Sequence, residues 1–326
     1  MTPPPTETVR DLGERELLRR ILGVFEGSSR AVVGPGDDAA VLRVDDGRVV
    51  VSTDTLVHGP DFRLAWSSGF DLGWKAAAVN LSDIAAMGAR PTALFVALML
   101  PDDTTAELVT DIARGMRAAC DDLAPGCAVE GGDLAASDTL SIAVTVLGVL
   151  DGAAPVRRSG ARVGDVVAVA GDLGAAGRGL ALLFDRFRDD RGRPIAVDAA
   201  ALTPAERADV EAQRRPRPPI ALGPVAARAG ATAMMDVSDG LLLDASRMAD
   251  ASGVSIDLDD TLDDMALRGG EDHALLACFG AGADLPDGFR RIGRVAAGDG
   301  VVTVGGALPG GRGGWDPHRD WDAGRG

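Results

Sequence analysis

The stretch FDLGWKAAAVNLSDIAAM, residues 70–87, predicts an alanine-rich helix that stops at Gly88 and is followed by Pro91. The helix carries Lys75 and Asp83, and their spacing puts the two side chains about 80° apart around the helix axis. Both side chains could therefore face one pocket. A solvated aspartate on an exposed helical face is the alternative for Asp83.

Strands and helices follow one another irregularly on both sides of this helix. The β-like runs 39–44 and 48–53 are joined by Asp45-Asp46-Gly47, which predicts a hairpin. Helices are also predicted at residues 14–25, 104–119, 178–187, 220–229 and 241–251, and strands at residues 92–100, 128–131, 140–150, 165–170, 292–295 and 301–304. Residues 185–209 are polar and are predicted to be partly mobile. Because no strict βαβ rhythm emerges, we expect an α+β fold.

The length of 326 residues suggests two domains. A boundary is predicted in Asp151-Gly152-Ala153-Ala154-Pro155, which would separate an N-terminal domain, residues 1–152, from a C-terminal domain, residues 153–326.

Composition excludes some classes of partner. The formal net charge of -16 disfavours nucleic acid and anionic membranes, although metal ions or arginines could reverse the field locally for a small anionic ligand. The longest apolar runs, residues 93–100 and 142–150, fall short of the ~20 residues that a membrane-spanning helix needs. The start does not resemble a signal peptide, and the three cysteines lack zinc-like spacing. We therefore expect a cytoplasmic protein.

Six short turns combine an acidic residue with small residues beside apolar runs. They are Gly36-Asp37-Asp38, Ser52-Thr53-Asp54, Asn80-Leu81-Ser82-Asp83, Gly131-Gly132-Asp133, Asp236-Val237-Ser238-Asp239-Gly240 and Gly269-Gly270-Glu271-Asp272. Carboxylates beside buried elements need a compensating cation, and basic residues are scarce near most of these turns. Magnesium held by few carboxylates completes its shell with water and substrate phosphates. The turns therefore predict a magnesium–nucleotide site assembled from distant parts of the chain.

Each turn also has a purely structural interpretation. Ser52-Thr53-Asp54 ends an apolar strand, where hydroxyls beside a carboxylate suit a metal, but a turn or helix cap uses the same residues. Gly131-Gly132-Asp133 could bring the backbone close to a phosphate or form a plain turn. Asp236 and Asp239 precede a helix, and because an N-cap explains only one acid, a cation site is favoured.

Other catalytic signatures are missing from the sequence. Residues 171–177 have G-x-x-G-x-x-G spacing, for which a structural turn is the favoured interpretation, and neither a Walker A motif nor the protein-kinase motifs occur. His58, His273 and His318 are scattered and predict no acyl-transfer site.

Lys75 is the single lysine among 33 basic residues. That isolation suggests a functional role, and a chance surface lysine is the alternative.

In this order, the motifs resemble the thiamine-monophosphate kinase family, which is related to aminoimidazole ribonucleotide synthetase. The resemblance runs from about Gly34 to Phe279 and also rests on Lys75, residues 84–89 and Arg158-Ser159-Gly160-Ala161. It implies an N-terminal α/β domain that binds ATP and Mg2+ and forms a homodimer through its sheet, and a C-terminal α+β domain that completes the nucleotide and substrate site. It further implies direct in-line transfer of the γ-phosphoryl group of ATP to thiamine monophosphate.

The resemblance also implies roles for individual residues. It assigns magnesium ligation to Asp38, Ser52, Thr53, Asp54, Asp83, Asp133, Asp236 and Asp239, ATP contacts to Gly132, Asp133, Arg158 and Ser238, and substrate contacts to Glu271 and a C-terminal aromatic residue. Trp315 is our candidate for that residue, because an aromatic face suits a cationic thiazolium, and Trp321 is its competitor.

The sequence departs from the family at one position. The family usually has a His-Phe pair shortly after the Ser-Thr-Asp motif, whereas this chain has Asp61-Phe62. Asp61 could attract the thiazolium but would repel the phosphate, so substrate affinity and identity stay open here. His58 could substitute for the missing histidine.

The implied chemistry needs no side-chain nucleophile, because an acceptor phosphate with a second pKa of about 6 is already anionic. Transition-state charge would be neutralised through Asp54, Asp83 and Asp133.

One alternative to this function is another enzyme of the superfamily, namely the purine ligase, selenophosphate synthetase or the hydrogenase maturation factor. The cysteines expected of the last two are missing. The other rival is a non-catalytic nucleotide-binding or metal-sensing protein, which Asp61 makes conceivable.

Overall fold

The predicted helix at residues 70–87 is confirmed and lies at the centre of the fold. In the computed structural model, which describes residues 7–34, 40–311 and 313–315, helix α2 spans Gly69–Ala86. Ser68 and Asp71 cap its first turn reciprocally, and Gly88, with a φ of +73°, follows its end. Most of its 18 residues are buried, as expected for a helix covered on several sides.

A four-stranded sheet organises the N-terminal half. Its strands are β1 (Val50–Val57), β2 (Arg90–Leu100), β3 (Ala128–Ala136) and β4 (Ser141–Val149), in the order β1-β4-β2-β3. Only β2 and β3 run parallel. Helices α1 (Val9–Phe25), α2 and α3 (Ala106–Leu123) pack together beside this sheet.

Two glycines allow α2 and α3 to touch. A Cβ on Gly73 would lie 1.9 Å from the Ile112 carbonyl oxygen, and one on Gly115 would lie 2.0 Å from that of Phe70. Any side chain at either position would separate the helices, so the position of α2 is fixed by backbone contact.

A six-stranded sheet organises the C-terminal half. Its order is β10-β7-β9-β5-β8-β6, where the strands are β5 (Val166–Ala170), β6 (Ala233–Val237), β7 (Ser255–Leu258), β8 (Ala274–Phe279), β9 (Phe289–Ala296) and β10 (Val302–Val304). The helices of this half are α4 (Ala175–Arg186), α5 (Pro204–Arg214), α6 (Leu222–Arg228), α7 (Leu241–Ser252) and α8 (Asp264–Arg268). Sheets with mainly antiparallel pairing and helices beside them confirm the α+β prediction.

The two halves share one hydrophobic core. Residues of α2 cluster with Ala168, Ala170, Leu275 and Ala277 on one face of the second sheet, whereas α7 covers the opposite face. Two indole N–H groups add hydrogen bonds across the contact. Trp66 donates to the Phe187 carbonyl at 3.0 Å, and Trp74 of α2 donates to the Pro216 carbonyl at 2.8 Å. α2 is therefore the element through which both halves are held.

The hairpin predicted around residues 45–47 is wrong. β1 pairs with β4 from Val50 to Val57, whereas Val41 forms only an isolated bridge with Val33. Residues 45–47 do form a turn, in which Asp46 accepts the backbone N–H of Arg48 at 3.0 Å. The local turn signal was correct, but the long-range pairing with β4 decided the partner of the strand.

Two of the acidic turns are strand segments. Ser52-Thr53-Asp54 lies inside β1, not at its end, and Gly131-Gly132-Asp133 lies inside β3, where Glu130 forms a bulge opposite β2. A Cβ on Gly132 would lie 2.1 Å from the Val96 carbonyl oxygen. Crowding between neighbouring strands therefore requires this glycine, which resembles a turn signal in the sequence.

Parts of the stretch predicted to be partly mobile pack against the N-terminal half. Leu202 and Phe187 are buried against Trp66, and α5 begins at Pro204 behind a capping box of Thr203 and Glu206. This packing could not be predicted from the stretch itself, because the partner residue, Trp66, is distant in the sequence. None of the helices in the described part of the chain is long and apolar enough to cross a membrane.

Candidate functional site

Strand β1 and helix α2 bring two of the predicted acids together. Ser52 and Asp54, two residues apart, point to the face of the sheet that α2 covers, and the Ser52 hydroxyl donates to Asp83 Oδ2 at 2.7 Å. Asp54 accepts the N–H of Thr55 at 2.7 Å. The Thr53 hydroxyl points the other way and donates to the Val144 carbonyl at 3.0 Å. The Thr53 side chain therefore does not join this group.

The C-terminal half faces this group with Asp236, at the end of β6. Burial, followed by the nearby charge of Asp236, raises the pKa of Asp83 to about 6. Asp236 Oδ2 also lies 3.0 Å from Nδ1 of the buried His273. Burial lowers the pKa of His273, but the hydrogen bond and charge of Asp236 outweigh that effect, and the net shift is upward. The charges of two carboxylates from different halves of the chain thus interact, and a cation between them would relieve their repulsion.

Asp239 is held by a separate ion-paired group at the start of α7. Arg247 bridges Asp239 Oδ2 at 2.6 Å and Asp244 Oδ1 at 2.7 Å, and Asp244 Oδ2 accepts the N–H of Asp239 at 3.0 Å. The Asp244 side chain is fully buried, which raises its pKa to about 6. Basic residues were expected to be scarce near most of the acidic turns, and this turn is an exception, because Arg247 lies about two helical turns beyond it.

Three consecutive side chains after α8 reach three different elements. Glu271 Oε1 lies 2.5 Å from Lys75 Nζ of α2, and His273 pairs with Asp236. Asp272 accepts the N–H groups of Gly174 and Ala176 at 2.6 and 2.8 Å. The N-terminus of α4 is therefore already capped by a carboxylate, which confirms the structural interpretation of the glycine loop at residues 171–177.

Asp61 and Trp315 flank this region. Asp61 Oδ2 accepts the N–H of Val57 at 2.7 Å, and burial raises the pKa of Asp61 although the charge of Lys75 opposes the shift. The Trp315 N–H donates to the Asp239 carbonyl at 2.9 Å, and the residue is 42% exposed. Its ring is thus available next to the acidic turn at residues 236–240. Trp321 and Asp38 lie outside the described residues.

A pocket of about 780 Å³ lies at Gly131-Gly132-Asp133, between β3, α1 and α3. Its walls include the apolar side chains of Ile21, Phe25 and Met116. Glu130 also lines it and accepts the Ser29 hydroxyl at 2.5 Å and the Arg30 N–H at 2.6 Å. Volume and apolar walls of this kind are typical of a small-molecule site.

The pocket is separate from the acids of β1 and α2. Asp133 and Thr55 stand at the same level of the sheet, with β2 and β4 between their strands, which corresponds to about 14 Å at normal strand spacing. The Arg158 carbonyl accepts the hydroxyl of Ser252 at 2.9 Å, which places Arg158 at the end of α7 opposite Asp239. The predicted ATP residues are therefore spread over the molecule. Ser238 lies beside Asp239, and its carbonyl accepts the Glu271 N–H at 2.8 Å.

The donor set fits a hard divalent cation. Within residues 7–34, 40–311 and 313–315, no three His, Cys, Asp or Glu side chains are close enough to hold a metal ion by themselves. Asp83 and Asp236, with the Ser52 hydroxyl, nevertheless provide oxygen donors at a point of carboxylate repulsion. Magnesium suits such a sparse set, because water and phosphate oxygens complete its shell.

Several residues of this region were missed in the sequence. His273 directly follows the Gly-Gly-Glu-Asp turn and could have been found there, whereas Asp244, Arg247 and Gln213 carry no local signal. Their partners are set by helix geometry and by tertiary contact.

Comparison with known proteins places the chain in context. The AIR synthase related protein family matches with its N-terminal domain over residues 36–150 and with its C-terminal domain over residues 162–283. The thiamine-monophosphate kinase of Mycobacterium tuberculosis H37Rv is 41% identical over 337 residues, which cover 97% of this chain and 94% of the relative.

Solved structures show the same similarity. The thiamine-monophosphate kinase from Stenotrophomonas maltophilia K279a has a TM-score of 0.74 and 35% identity, covering 90% of this chain and 96% of that one. AaThiL complexed with AMPPCP and TMP has a TM-score of 0.73 and 30% identity, and the match covers 95% of this chain and 98% of that one.

Proposed function

The chain belongs to the AIR synthase related family and, within it, to the thiamine-monophosphate kinases, and from this premise we propose that it transfers the γ-phosphoryl group of ATP to thiamine monophosphate. The products are thiamine diphosphate and ADP. The observation that carries the proposal is the acidic group at the contact of the two halves, where Ser52 holds Asp83 and the charge of Asp236 acts on it, beside the Lys75–Glu271 pair. The similar AaThiL was solved with both AMPPCP and TMP bound.

We propose Mg2+ as the cation of this site. Its ligands would be the side chains of Ser52, Asp54, Asp83 and Asp236, joined by Asp38 and Asp239 or by waters that these residues hold. The Thr53 hydroxyl points to the other face of the sheet and is not among them, and Asp133, about 14 Å away, would instead hold Mg2+ on the phosphates of ATP. The raised pKa of Asp83 supports the proposal, because a cation would remove the repulsion that causes part of the shift. When bound, Mg2+ supplies positive charge between the two phosphates that react.

ATP would occupy the pocket at residues 131–133. The apolar side chains of Ile21, Phe25 and Met116 suit the purine ring, and Gly132 lines the same pocket. The phosphates would extend from Asp133 toward Ser238 and the acids of α2. The Arg158 side chain would have to extend from the far end of α7 to contact ATP. The length of ATP suits a site whose base pocket and acidic group are separated.

The chain's own residues contribute binding and orientation. The acceptor phosphate is anionic at neutral pH, so no side chain has to remove a proton from it. Glu271 and the exposed ring of Trp315 would hold the thiazolium, and Asp61 would face it at the position where relatives usually have histidine. Asp54, Asp83 and Asp133 would act through the metal, because positioning and charge neutralisation provide most of the catalysis in phosphoryl transfer.

We further propose a homodimer formed through the first sheet. The sheet face opposite α2 carries Val51, which is 59% exposed, and the half-buried Phe95, Ala97 and Leu147. An apolar face of this kind suits coverage by a second copy. Light scattering should give twice the mass of 33.4 kDa for the wild type. Leu147→Arg should shift it toward the monomer.

We also propose a domain boundary and a cellular location. We propose domains of residues 1–152 and 153–326, which limited proteolysis would test. Cys120, Cys127 and Cys278 are free and buried, which suits a reducing cytoplasm.

A turnover assay tests the proposed function. Protein, ATP and thiamine monophosphate should yield thiamine diphosphate with Mg2+ and none with EDTA. Asp54→Asn should remove turnover while circular dichroism stays unchanged, and a near-normal rate would exclude Asp54 from the metal ligands. Tight ATP binding without any product would instead support a non-catalytic nucleotide-binding protein.

A further inference from the structure

Lys75 has no part in the proposed chemistry, although it is the single lysine of the chain and is buried. We propose that Lys75 is a positioning residue, which holds the Glu271 carboxylate across the contact between the two halves in the orientation that meets the thiazolium of the substrate. The inference rests on the proposed function, since only there does Glu271 contact substrate.

Both oxygens of Glu271 are held by donors from other elements. Lys75 Nζ of α2 lies 2.5 Å from Oε1, and Gln213 Nε2 of α5 lies 3.3 Å from Oε2. The three residues come from segments that are distant in the sequence, and Gln213 is itself buried. A charged donor on one oxygen and a neutral donor on the other fix the plane of the carboxylate.

Exposure decides which member of the ion pair meets a ligand. The Lys75 side chain is 4% exposed and the Glu271 side chain is 29% exposed. The Lys75 ammonium is nearly inaccessible to a bound molecule, and moving it away from the carboxylate would leave a buried charge unpaired. The carboxylate keeps an open side while it is paired. Lys75 therefore acts through Glu271.

The backbone around Glu271 leaves only the side chain to be oriented. Glu271 has a φ of +70°, in the left-handed region that non-glycine residues rarely adopt. A Cβ on the preceding Gly270 would lie 2.4 Å from the Ser238 carbonyl oxygen, and the following Asp272 caps α4. Because both neighbours are fixed, the direction of the Glu271 carboxylate depends on Lys75 and Gln213.

A double-mutant cycle on the full-length protein with Mg2+ tests this inference. The measurements are the KM values for thiamine monophosphate and for ATP in the wild type, Glu271→Gln, Lys75→Met and the double variant. Each single substitution should raise the KM for thiamine monophosphate at least about tenfold, because a buried ion pair loses one partner, and should leave the KM for ATP within about twofold. Since Lys75 acts through Glu271, the double variant should stay within about twofold of Glu271→Gln.

Independent losses would overturn the inference. If the two increases multiply to about a hundredfold in the double variant, Lys75 does not act through Glu271. An equal rise in the KM for ATP would also overturn it, because Lys75 would then serve the nucleotide. Failure of the wild type to form thiamine diphosphate would overturn the proposed function itself, and the two failures are thereby distinguished.

Two further variants separate positioning from general loosening of the interface. Gln213→Leu should raise the KM for thiamine monophosphate in the same direction but less, because it removes a neutral donor. Arg217→Met is the matched control, since Arg217 pairs with Asp122 across the same contact, but at exposed positions. It should leave both KM values unchanged. A rise in this control equal to that of Lys75→Met would overturn the positioning role.

Discussion

The acids that the two halves bring to the site are stabilised in different ways. In the N-terminal half, Asp83 takes its hydrogen bond from the Ser52 hydroxyl and Asp54 from a backbone N–H, both uncharged donors. In the C-terminal half, Asp239 has Arg247 at 2.6 Å and Glu271 has Lys75 at 2.5 Å. Asp54 and Asp83 are therefore prepared for an external cation, whereas Asp239 and Glu271 already have an internal one.

This difference separates two tasks. An acid without a cationic partner gains most when a metal binds, because the metal relieves desolvation and repulsion together. An acid that is already paired is fixed in place, and a ligand has to compete with or complement the pair. We infer that Asp54 and Asp83, together with Asp236 of the C-terminal half, bind metal, whereas Asp239 and Glu271 mainly set geometry.

Among the variants that compare the two halves, the largest effect is expected for Asp83→Asn. The variant should lower kcat at least about 100-fold, because a carboxylate that neutralises phosphate charge through the metal is lost. It should also raise the melting temperature of the metal-free protein, because the buried charge beside Asp236 is gone. Steady-state kinetics and thermal unfolding in EDTA check both. Asp121→Asn, an exposed site on α3, is the control, and a less stable metal-free Asp83→Asn would contradict the comparison.

The second effect is a pH dependence of the metal-free protein. The pKa values of Asp83 and Asp244 are raised to about 6, and that of His273 is raised above its usual value. Each group holds its proton more tightly in the folded than in the unfolded state, so folding stability falls as the pH rises through about 6. Between pH 5 and pH 7.5 the loss should be about 2 kcal/mol.

Thermal unfolding in EDTA and in Mg2+ measures this dependence. Mg2+ should reduce the loss at the higher pH, because it favours the ionised carboxylates. Stability in EDTA that rises over the same range would show that Asp83 and Asp244 are not the acids that control it.

A smaller effect is expected for Asp239→Asn. The charge of Asp239 is already compensated by Arg247, so the variant should lower kcat only about tenfold, well below the effect of Asp83→Asn. Parallel kinetics of the two variants, at saturating Mg2+, test the comparison directly. Equal losses would mean that Arg247 releases Asp239 to the metal during turnover.

The smallest effect is expected for Trp315→Ala. Loss of one partly exposed aromatic face should raise the KM for thiamine monophosphate about threefold and leave the KM for ATP unchanged. Trp321→Ala is the matched variant. If it shows the effect instead, the aromatic contact belongs to Trp321.

The sequence predicted what depends on local patterns. The α2 helix, most other elements and the α+β class follow from apolar periodicity, glycine stops and capping residues, and the structure confirms them. The structural role of the 171–177 loop was also correct, because Asp272 occupies the N–H groups that an anion would need.

Predictions failed where distant segments decide the outcome. β1 pairs with β4 and not with the nearby run at residues 39–44. Gly132 was interpreted as a turn residue, but it is required because a side chain there would collide with the neighbouring strand. The sequence also did not show which acids are paired with a basic side chain and which are not. Arg247 reaches Asp239 over the first turns of a helix, and Lys75 reaches Glu271 across 196 positions of chain.

The isolation of Lys75 gives the protein a built-in reporter. Apart from the α-amino group, its side chain is the only primary amine in the chain, and it is buried between the two halves. An acylating reagent should therefore modify the α-amino group quickly and Lys75 only when the halves separate. The rate at which a second acyl group appears in the intact mass measures that opening directly, with no substitution or attached dye.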